Sequence, residues 1–179
     1  PLSASAAAAV QIVVGADARS LLRSAPLDLE VILLDAYARQ FEIPPHLATA
    51  EFFAEAYTHL RPGGVLVINL GTTSAVQSDV GFVARIRAGL AASFGDAQRM
   101  HQVPRSRNWV LFARKELAFP ALTELVTLLP QGLPIEVGAA CLPGQTVEGV
   151  GELAKVVPFT DDRNPLQLQQ TLEWWREAP

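Results

Sequence analysis

The chain has 179 residues, of which 50% are hydrophobic and 18% are charged, a composition typical of a globular protein with a core. The formal net charge of −4 argues against a nucleic-acid-binding surface. A single cysteine, Cys141, excludes an internal disulfide bond, and three widely separated histidines predict no metal site. The sequence has no apolar run of about 18 residues, so we expect no membrane contact and a cytoplasmic location.

The first predicted element follows an alanine-rich start. The chain begins at Pro1 without a methionine, which indicates a fragment whose upstream part is missing. Val10–Val14 is apolar and β-branched, and it predicts a strand. Asp17 follows this strand and is placed to cap a short helix over Ala18–Arg23.

The next element, Glu30–Tyr37, reads EVILLDAY and contains four consecutive aliphatic residues. Such a run predicts a strand that is buried on both faces of a parallel sheet. The run ends at Asp35, and ligands of open α/β sheets bind at the carboxyl ends of strands. Asp35 is therefore either a site residue or a loop acid that caps the next helix.

The middle of the chain alternates between helix and strand signals. Thr49 is a predicted helix N-cap, and the Arg-Pro-Gly-Gly sequence at 61–64 ends that helix. The remaining elements are a strand over Val65–Leu70, a helix that opens at Ser78 and ends at Gly95, and a strand pair over Ala97–Val103 and Asn108–Ala113. This order predicts an α/β fold with a parallel sheet and an antiparallel hairpin at its C-terminal edge.

After Lys115 prolines and glycines become frequent, which divides the chain into two predicted regions. Residues 1–115 form the sheet domain, and residues 116–179 form an extension that packs on it. Helices are predicted over Pro120–Leu129 and Pro165–Trp175. Asp161 and Asp162 resemble a paired-carboxylate site, although a solvated turn before Pro165 is the favoured interpretation.

Four pieces of the sequence resemble the spermidine synthase family and its spermidine-synthase-like relatives. They are VVGADAR (Val13–Arg19), VILLDAY (Val31–Tyr37), IPPHLATAEFF (Ile43–Phe53) and RPGGVLVINL (Arg61–Leu70). A fifth piece, PFTDDRNP (Pro158–Pro165), resembles the ending of longer members. The resemblance implies the Rossmann-like class I S-adenosylmethionine-dependent methyltransferase fold with sheet order 3-2-1-4-5-7-6. It also implies that the first two strands of that fold are missing from this chain.

The resemblance also implies roles for individual residues. Asp17 and Ala18 match the position that contacts the adenine of the cofactor, and Asp35 matches the acid that accepts a proton from the attacking amine. Asn69 matches a glutamine that binds the polyamine. The full set of candidates is Gly15, Asp17 and Ala18 for the cofactor, Asp35 for catalysis, and Tyr37, Gln40 and Asn69 for the substrate. Four of these candidates also have a structural alternative: Asp17 as a helix cap, Tyr37 and Gln40 as packing residues, and Asn69 as a partner for loop backbone.

Three functions remain open at this stage. The first is aminopropyl transfer from decarboxylated S-adenosylmethionine to an amine such as putrescine. The second is methyl transfer from S-adenosylmethionine, because Ala38 stands where the synthases have a second acid. The third is a catalytically silent domain. We expect a small-molecule amine as partner and no metal, and we leave a homodimer open.

Overall fold

The computed structural model describes residues 11–37, 43–71, 81–103, 106, 108–119, 146–148, 153 and 155–166. Within these ranges the α-helices are Ala18–Ser24 (α1), Ala50–His59 (α2) and Phe82–Phe94 (α3). The strands are Leu29–Leu34 (β1), Leu60–Gly71 (β2), Gln98–Gln102 (β3), Asn108–Arg114 (β4) and Thr146–Glu148 (β5). A 3₁₀ turn, Pro45–Leu47, precedes α2.

The strands form one mixed sheet in the order β1-β2-β4-β3-β5. β1 and β2 are parallel, whereas β4 pairs antiparallel with both β2 and β3. The α/β fold and the antiparallel hairpin are therefore confirmed. The first four positions reproduce the 4-5-7-6 portion of the sheet order that the resemblance implied, and β5, which pairs with β3, was not predicted.

The helix boundaries follow the capping residues. The Asp17 side chain accepts a hydrogen bond from Ser20 N, and the Thr49 side chain accepts one from Phe52 N, so both predicted N-caps are confirmed. α3 ends at Gly95, where φ is +57°, a conformation that glycine adopts without a Cβ penalty. Ser78, where this helix was predicted to open, lies outside the described residues.

The core occupies one face of the sheet. Leu66, Ile68 and Leu70 alternate along β2 with less buried residues, and all three belong to the same buried cluster as Phe53 of α2. α2 and α3 pack closely over this face, because a Cβ added at Gly89 would lie 3.2 Å from the Phe53 ring. Both helices therefore cover the same side of the sheet.

The prediction that Glu30–Tyr37 is a strand buried on both faces is wrong in its burial. Val31 and Leu33 are 58% and 68% exposed, whereas Leu34 is 6% exposed. Successive side chains of a strand point to opposite faces, and α2 and α3 cover only the face of Leu34. No helix among the described residues covers the face of Val31 and Leu33.

The strand predicted over Val10–Val14 is also wrong for the four residues that the structure describes. Residues 11–14 have no strand assignment, and Ile12 and Val14 are 81% and 88% exposed. A strand needs a hydrogen-bonded neighbour and a covered face to be stable in water. No described strand pairs with these residues, so their β propensity alone does not produce a strand.

The C-terminal region contributes a segment, residues 155–166, that packs near the start of α2. Phe159 and Leu166 are fully buried within the core cluster, and Ala50 N donates a hydrogen bond to Phe159 O at 2.9 Å. The helix predicted over Pro120–Leu129 lies outside the described residues, as does most of the one predicted over Pro165–Trp175. No helix in the described part of the chain has the length and apolar character to cross a membrane.

Candidate functional site

The candidate site lies where β1 and β2 end. These strands are parallel, so their carboxyl ends meet at the same edge of the sheet, which is where ligands bind in open α/β folds. Asp35 directly follows β1, and Asn69 lies near the end of β2. α2 connects the two strands and therefore begins at this edge as well. The topology thus brings the ends of both family-matched strands together.

A hydrogen bond joins the two residues. Asn69 Nδ2 donates to Asp35 Oδ1 at 3.0 Å, which orients a carboxylate that is otherwise exposed to solvent. Asn69 Oδ1 is buried and has no hydrogen-bond partner among the described residues. An unpaired buried acceptor costs free energy. The accessible acceptor of the Asp35–Asn69 cluster is the exposed carboxylate of Asp35, which can take a further hydrogen-bond donor.

Tyr37 extends this cluster. Its hydroxyl donates to the backbone oxygen of Asn69 at 3.4 Å, a long hydrogen bond. Partial burial, and then the charge of Asp35, raises the pKa of the Tyr37 phenol, so the group remains a neutral donor at physiological pH. Gln40, the other candidate for substrate contact, lies outside the described residues, as does Ala38.

The candidate cofactor residues lie in the turn before α1. Gly15 has φ of +77°, and no atom lies within 4 Å of the position that a Cβ would take. Asp17 Oδ1 accepts from Ser20 N at 2.9 Å, and Asp17 Oδ2 lies 2.7 Å from His46 Nε2. Both contacts lower the pKa of Asp17, with the Ser20 amide the larger cause. Ala18 is the first residue of α1 and is exposed.

A second polar cluster near this turn was missed by the sequence interpretation. We call Arg19, Glu55 and Asp161 the clasp. The Arg19 side chain is only 7% exposed, and its guanidinium group donates to both oxygens of Glu55, at 3.0 and 2.7 Å, and to both oxygens of Asp161, at 2.7 and 2.9 Å. The clasp therefore joins α1, α2 and the 155–166 segment through one buried cation.

The clasp has further support around Asp161. Thr49 Oγ1 donates to Asp161 Oδ1 at 2.7 Å, and Asp161 N donates to Glu51 Oε2 at 3.0 Å. The turn predicted before Pro165 is confirmed, since Asp161 and Asp162 both lie in a turn and are both exposed. The contact of Asp161 with Arg19 was not predicted, and it gives Asp161 two charge-assisted hydrogen bonds. The signal available in the sequence was the PFTDDRNP piece, but nothing local pointed to Arg19, which lies 142 residues away.

Ion pairing lowers the pKa values of the two acids in the clasp. The Arg19 and then the Arg23 guanidinium groups lower the pKa of Glu55 from 4.5 to about 2. Arg19 likewise holds the pKa of Asp161 below its usual value, and the two acids in turn raise the pKa of Arg19. All three groups are therefore charged at neutral pH, as a structural ion pair requires.

A cavity of about 550 Å³ lies at the other end of the sheet, lined by residues that include Tyr57, Phe94, Gln98, Arg99 and Phe119. Tyr57 is near the end of α2, Phe94 ends α3 and Gln98 begins β3. This cavity is therefore remote from the Asp35 cluster. The described residues contain no group of three or more metal-ligating side chains.

Comparisons with known proteins agree with this topology. No family model matches the chain. A probable polyamine aminopropyl transferase from Bifidobacterium longum (strain NCC 2705) is 33% identical over 100 residues, which are 55% of this chain and 22% of that protein. A probable spermidine synthase structure from Corynebacterium glutamicum has a TM-score of 0.56 at 24% identity, covering 80% of this chain and 51% of that chain. Human methyltransferase-like protein 13, in complex with SAH, has a TM-score of 0.49 at 22% identity, covering 66% and 60%.

The curated relative supports the resemblance found in the sequence, and the Corynebacterium structure shows the shared fold. The chain spans 22% of the length of that relative and 51% of the solved spermidine synthase chain.

Proposed function

We propose that this spermidine-synthase-like chain contributes the catalytic base of an aminopropyltransferase that acts on a small amine such as putrescine, with decarboxylated S-adenosylmethionine as the donor. The observation that carries the proposal is the position of Asp35. It lies at the carboxyl end of a strand, it is exposed, and Asn69 orients it through a hydrogen bond of 3.0 Å. A carboxylate held in this way accepts a proton without having to reorient.

The reaction needs such a group. An alkylammonium ion has no lone pair, so it must lose a proton before its nitrogen attacks the carbon bound to the sulfonium. In the proposed step Asp35 first takes a proton from the ammonium ion, and the lone pair so freed forms the new C–N bond as the C–S bond breaks. The electrons of the C–S bond stay on sulfur as a neutral thioether, and the product nitrogen is a secondary ammonium. Before the step, the negative charge of Asp35 attracts both the ammonium ion and the sulfonium.

The chain's own residues fit the two ligands in different ways. Gly15 presents an open turn that leaves room for a nucleoside, and Asp17 and Ala18 stand beside it. The exposed Asp35 carboxylate, held by Asn69 Nδ2, suits the N–H donors of the amine. The Tyr37 hydroxyl, beside Asn69, would line the same place. Decarboxylated S-adenosylmethionine supplies the activated carbon when it is bound.

Methyl transfer from S-adenosylmethionine is the second candidate, and one residue favours it. Ala38 stands where the synthases have a second acid, so this chain offers one carboxylate fewer to a polyamine. Fewer negative charges weaken the attraction for a dication more than for a neutral acceptor.

The natural polypeptide that contains these 179 residues provides the test. We would incubate it with putrescine and decarboxylated S-adenosylmethionine and follow spermidine formation by mass spectrometry. A parallel reaction with S-adenosylmethionine would report methyl transfer. Spermidine that forms with the wild type and not with Asp35→Asn would support the proposal, whereas calorimetry showing no binding of either sulfonium compound would refute both enzyme functions.

A further inference from the structure

We propose that the clasp is a positioning device for the cofactor turn. In this inference Asp161 holds Arg19, and Arg19 in turn fixes the Asp17–His46 pair. It rests on the proposed function, because Asp17 matters for catalysis only if the turn before α1 binds the nucleoside. Asp161 and Arg19 touch no ligand in this scheme and are positioning residues.

Arg19 is buried near the start of α1. It lies two residues after Asp17, in the first turn of α1, yet its side chain is 7% exposed in a helix whose other residues, except Leu22, are more exposed. Burying a guanidinium group is favourable only when its donors are paired. Arg19 meets this condition through five hydrogen bonds, four to carboxylate oxygens and one to a backbone oxygen.

His46 connects the clasp to Asp17. The fifth hydrogen bond joins Arg19 Nη1 to His46 O at 3.1 Å. His46 Nε2 lies 2.7 Å from Asp17 Oδ2. Arg19 therefore fixes the backbone of His46, and the imidazole of His46 fixes the carboxylate of Asp17. Asp161 is thus linked to Asp17 through Arg19 and His46.

The 155–166 segment is anchored in the core. Phe159 and Leu166 are fully buried, and Asn164 Nδ2 donates to Pro45 O at 2.6 Å, in the same 3₁₀ turn that carries His46. The segment therefore contacts the turn that carries His46 in two ways. Asn164 bonds it directly, and Asp161 contacts it through Arg19. Ordering of this segment and ordering of the cofactor turn are coupled.

This coupling has two consequences. Because coupling between sites is reciprocal, a nucleoside bound at the turn should strengthen the clasp as much as the clasp strengthens nucleoside binding. In addition, a lysine should not replace Arg19, because an ammonium group has three N–H donors, whereas the guanidinium group of Arg19 makes five hydrogen bonds.

The experiment compares Asp161→Ala with Asp162→Ala, which removes the neighbouring exposed acid. Hydrogen exchange of the Ser20 and Leu21 amides, which donate to Asp17 Oδ1 and Asp17 O, is measured first. We expect exchange of both amides to be about fivefold faster in Asp161→Ala, the size expected from loss of a partly exposed ion pair, and unchanged in Asp162→Ala. Arg19→Lys should behave as Asp161→Ala does.

The second readout is the dissociation constant for decarboxylated S-adenosylmethionine, measured by calorimetry in a cycle with Asp17→Asn. We expect Asp161→Ala to weaken binding about fivefold in the wild-type background and to have no further effect once Asp17 is replaced. Unchanged amide exchange in Asp161→Ala, or an equal loss of affinity in both backgrounds, would overturn the positioning role. Wild-type protein that binds no sulfonium compound would instead refute the proposed function, while the exchange result would still decide whether the clasp orders the turn.

Discussion

Two polar clusters near the start of α2 and the ends of β1 and β2 differ in how completely their polar atoms are paired. In the clasp, Arg19 makes five hydrogen bonds, and both oxygens of Glu55 and Asp161 are engaged. At the Asp35 cluster, a single amide contacts an exposed carboxylate, and Asn69 Oδ1 has no partner among the described residues. A saturated cluster holds elements together, whereas an unsaturated one has capacity left for a ligand.

The difference also separates what each cluster contributes. Removing one partner of the clasp should lower the stability of the fold, since it leaves charges without compensation. An exposed carboxylate with one hydrogen bond adds little stability, but it is able to accept a proton from a substrate. Substitutions should therefore separate stability from turnover.

The largest expected effect concerns turnover at Asp35. Asp35→Asn removes the proton acceptor while keeping the shape of the side chain, so the rate of aminopropyl transfer should fall by about a hundredfold to ten-thousandfold. The free energy of unfolding should change by less than about 0.5 kcal/mol, because the residue is exposed. Initial rates and urea denaturation on one preparation check both parts. A stable variant with the wild-type rate would remove Asp35 from the role of base.

The next effect concerns the stability of the clasp. Arg19→Met keeps an unbranched apolar side chain but removes the guanidinium group, which leaves Glu55 and Asp161 without their shared cation. The free energy of unfolding should fall by about 2 kcal/mol, below the range for a fully buried pair because both acids are partly exposed. Arg23→Met is the matched control, since Arg23 contacts the same Glu55 but is 58% exposed. Arg23→Met should lower the free energy of unfolding by less than about 1 kcal/mol. Equal losses in the two variants would contradict the idea that burial makes Arg19 more important for stability than Arg23.

A smaller effect should appear on acidification. Glu55 has a pKa lowered from 4.5 to about 2, so its contribution to stability is present above about pH 4.5 and is lost as the pH falls toward about 2. Asp161, whose pKa is also lowered, acts in the same direction. Urea denaturation at about pH 6 and about pH 3 should show a loss of stability in the wild type that is reduced in Arg19→Met. An equal loss in both proteins would place the acid sensitivity outside the clasp.

The smallest effect concerns Tyr37. Tyr37→Phe removes only a hydroxyl whose hydrogen bond to Asn69 O is long, at 3.4 Å, so the free energy of unfolding should change by less than about 0.5 kcal/mol. If Tyr37 lines the amine site, KM for putrescine should rise while kcat changes little. A steady-state titration with putrescine measures both, and a change in kcat alone would contradict this position.

Sequence patterns predicted the elements well where local signals were strong. Asp17 and Thr49 cap helices as predicted, because a side-chain oxygen in that position pairs with an otherwise unpaired amide whatever the tertiary context. The pairing of β3 with β4 followed from two short strand signals close together in the chain. Asp35 and Asn69 were each named from the resemblance, but their hydrogen bond was not predicted; the structure brings them together because parallel strands end at one edge.

The errors arose where distant parts of the chain decide the outcome. Val31 and Leu33 were predicted to be buried because they are aliphatic. Burial also requires a covering element, and none of the described helices lies on the face of the sheet to which they point. Residues 11–14 have strand propensity without a described strand beside them. Arg19 and Asp161 meet across 142 positions, and no local pattern marks a pair of that separation.

The most direct test of the account measures initial rate and free energy of unfolding together for Asp35→Asn and Arg19→Met in the natural polypeptide that contains these residues. We expect Asp35→Asn to lose at least about a hundredfold in rate with stability unchanged, and Arg19→Met to lose about 2 kcal/mol of stability yet retain measurable turnover. A wild-type rate in Asp35→Asn, or unchanged stability in Arg19→Met, would contradict the division of roles between the two clusters.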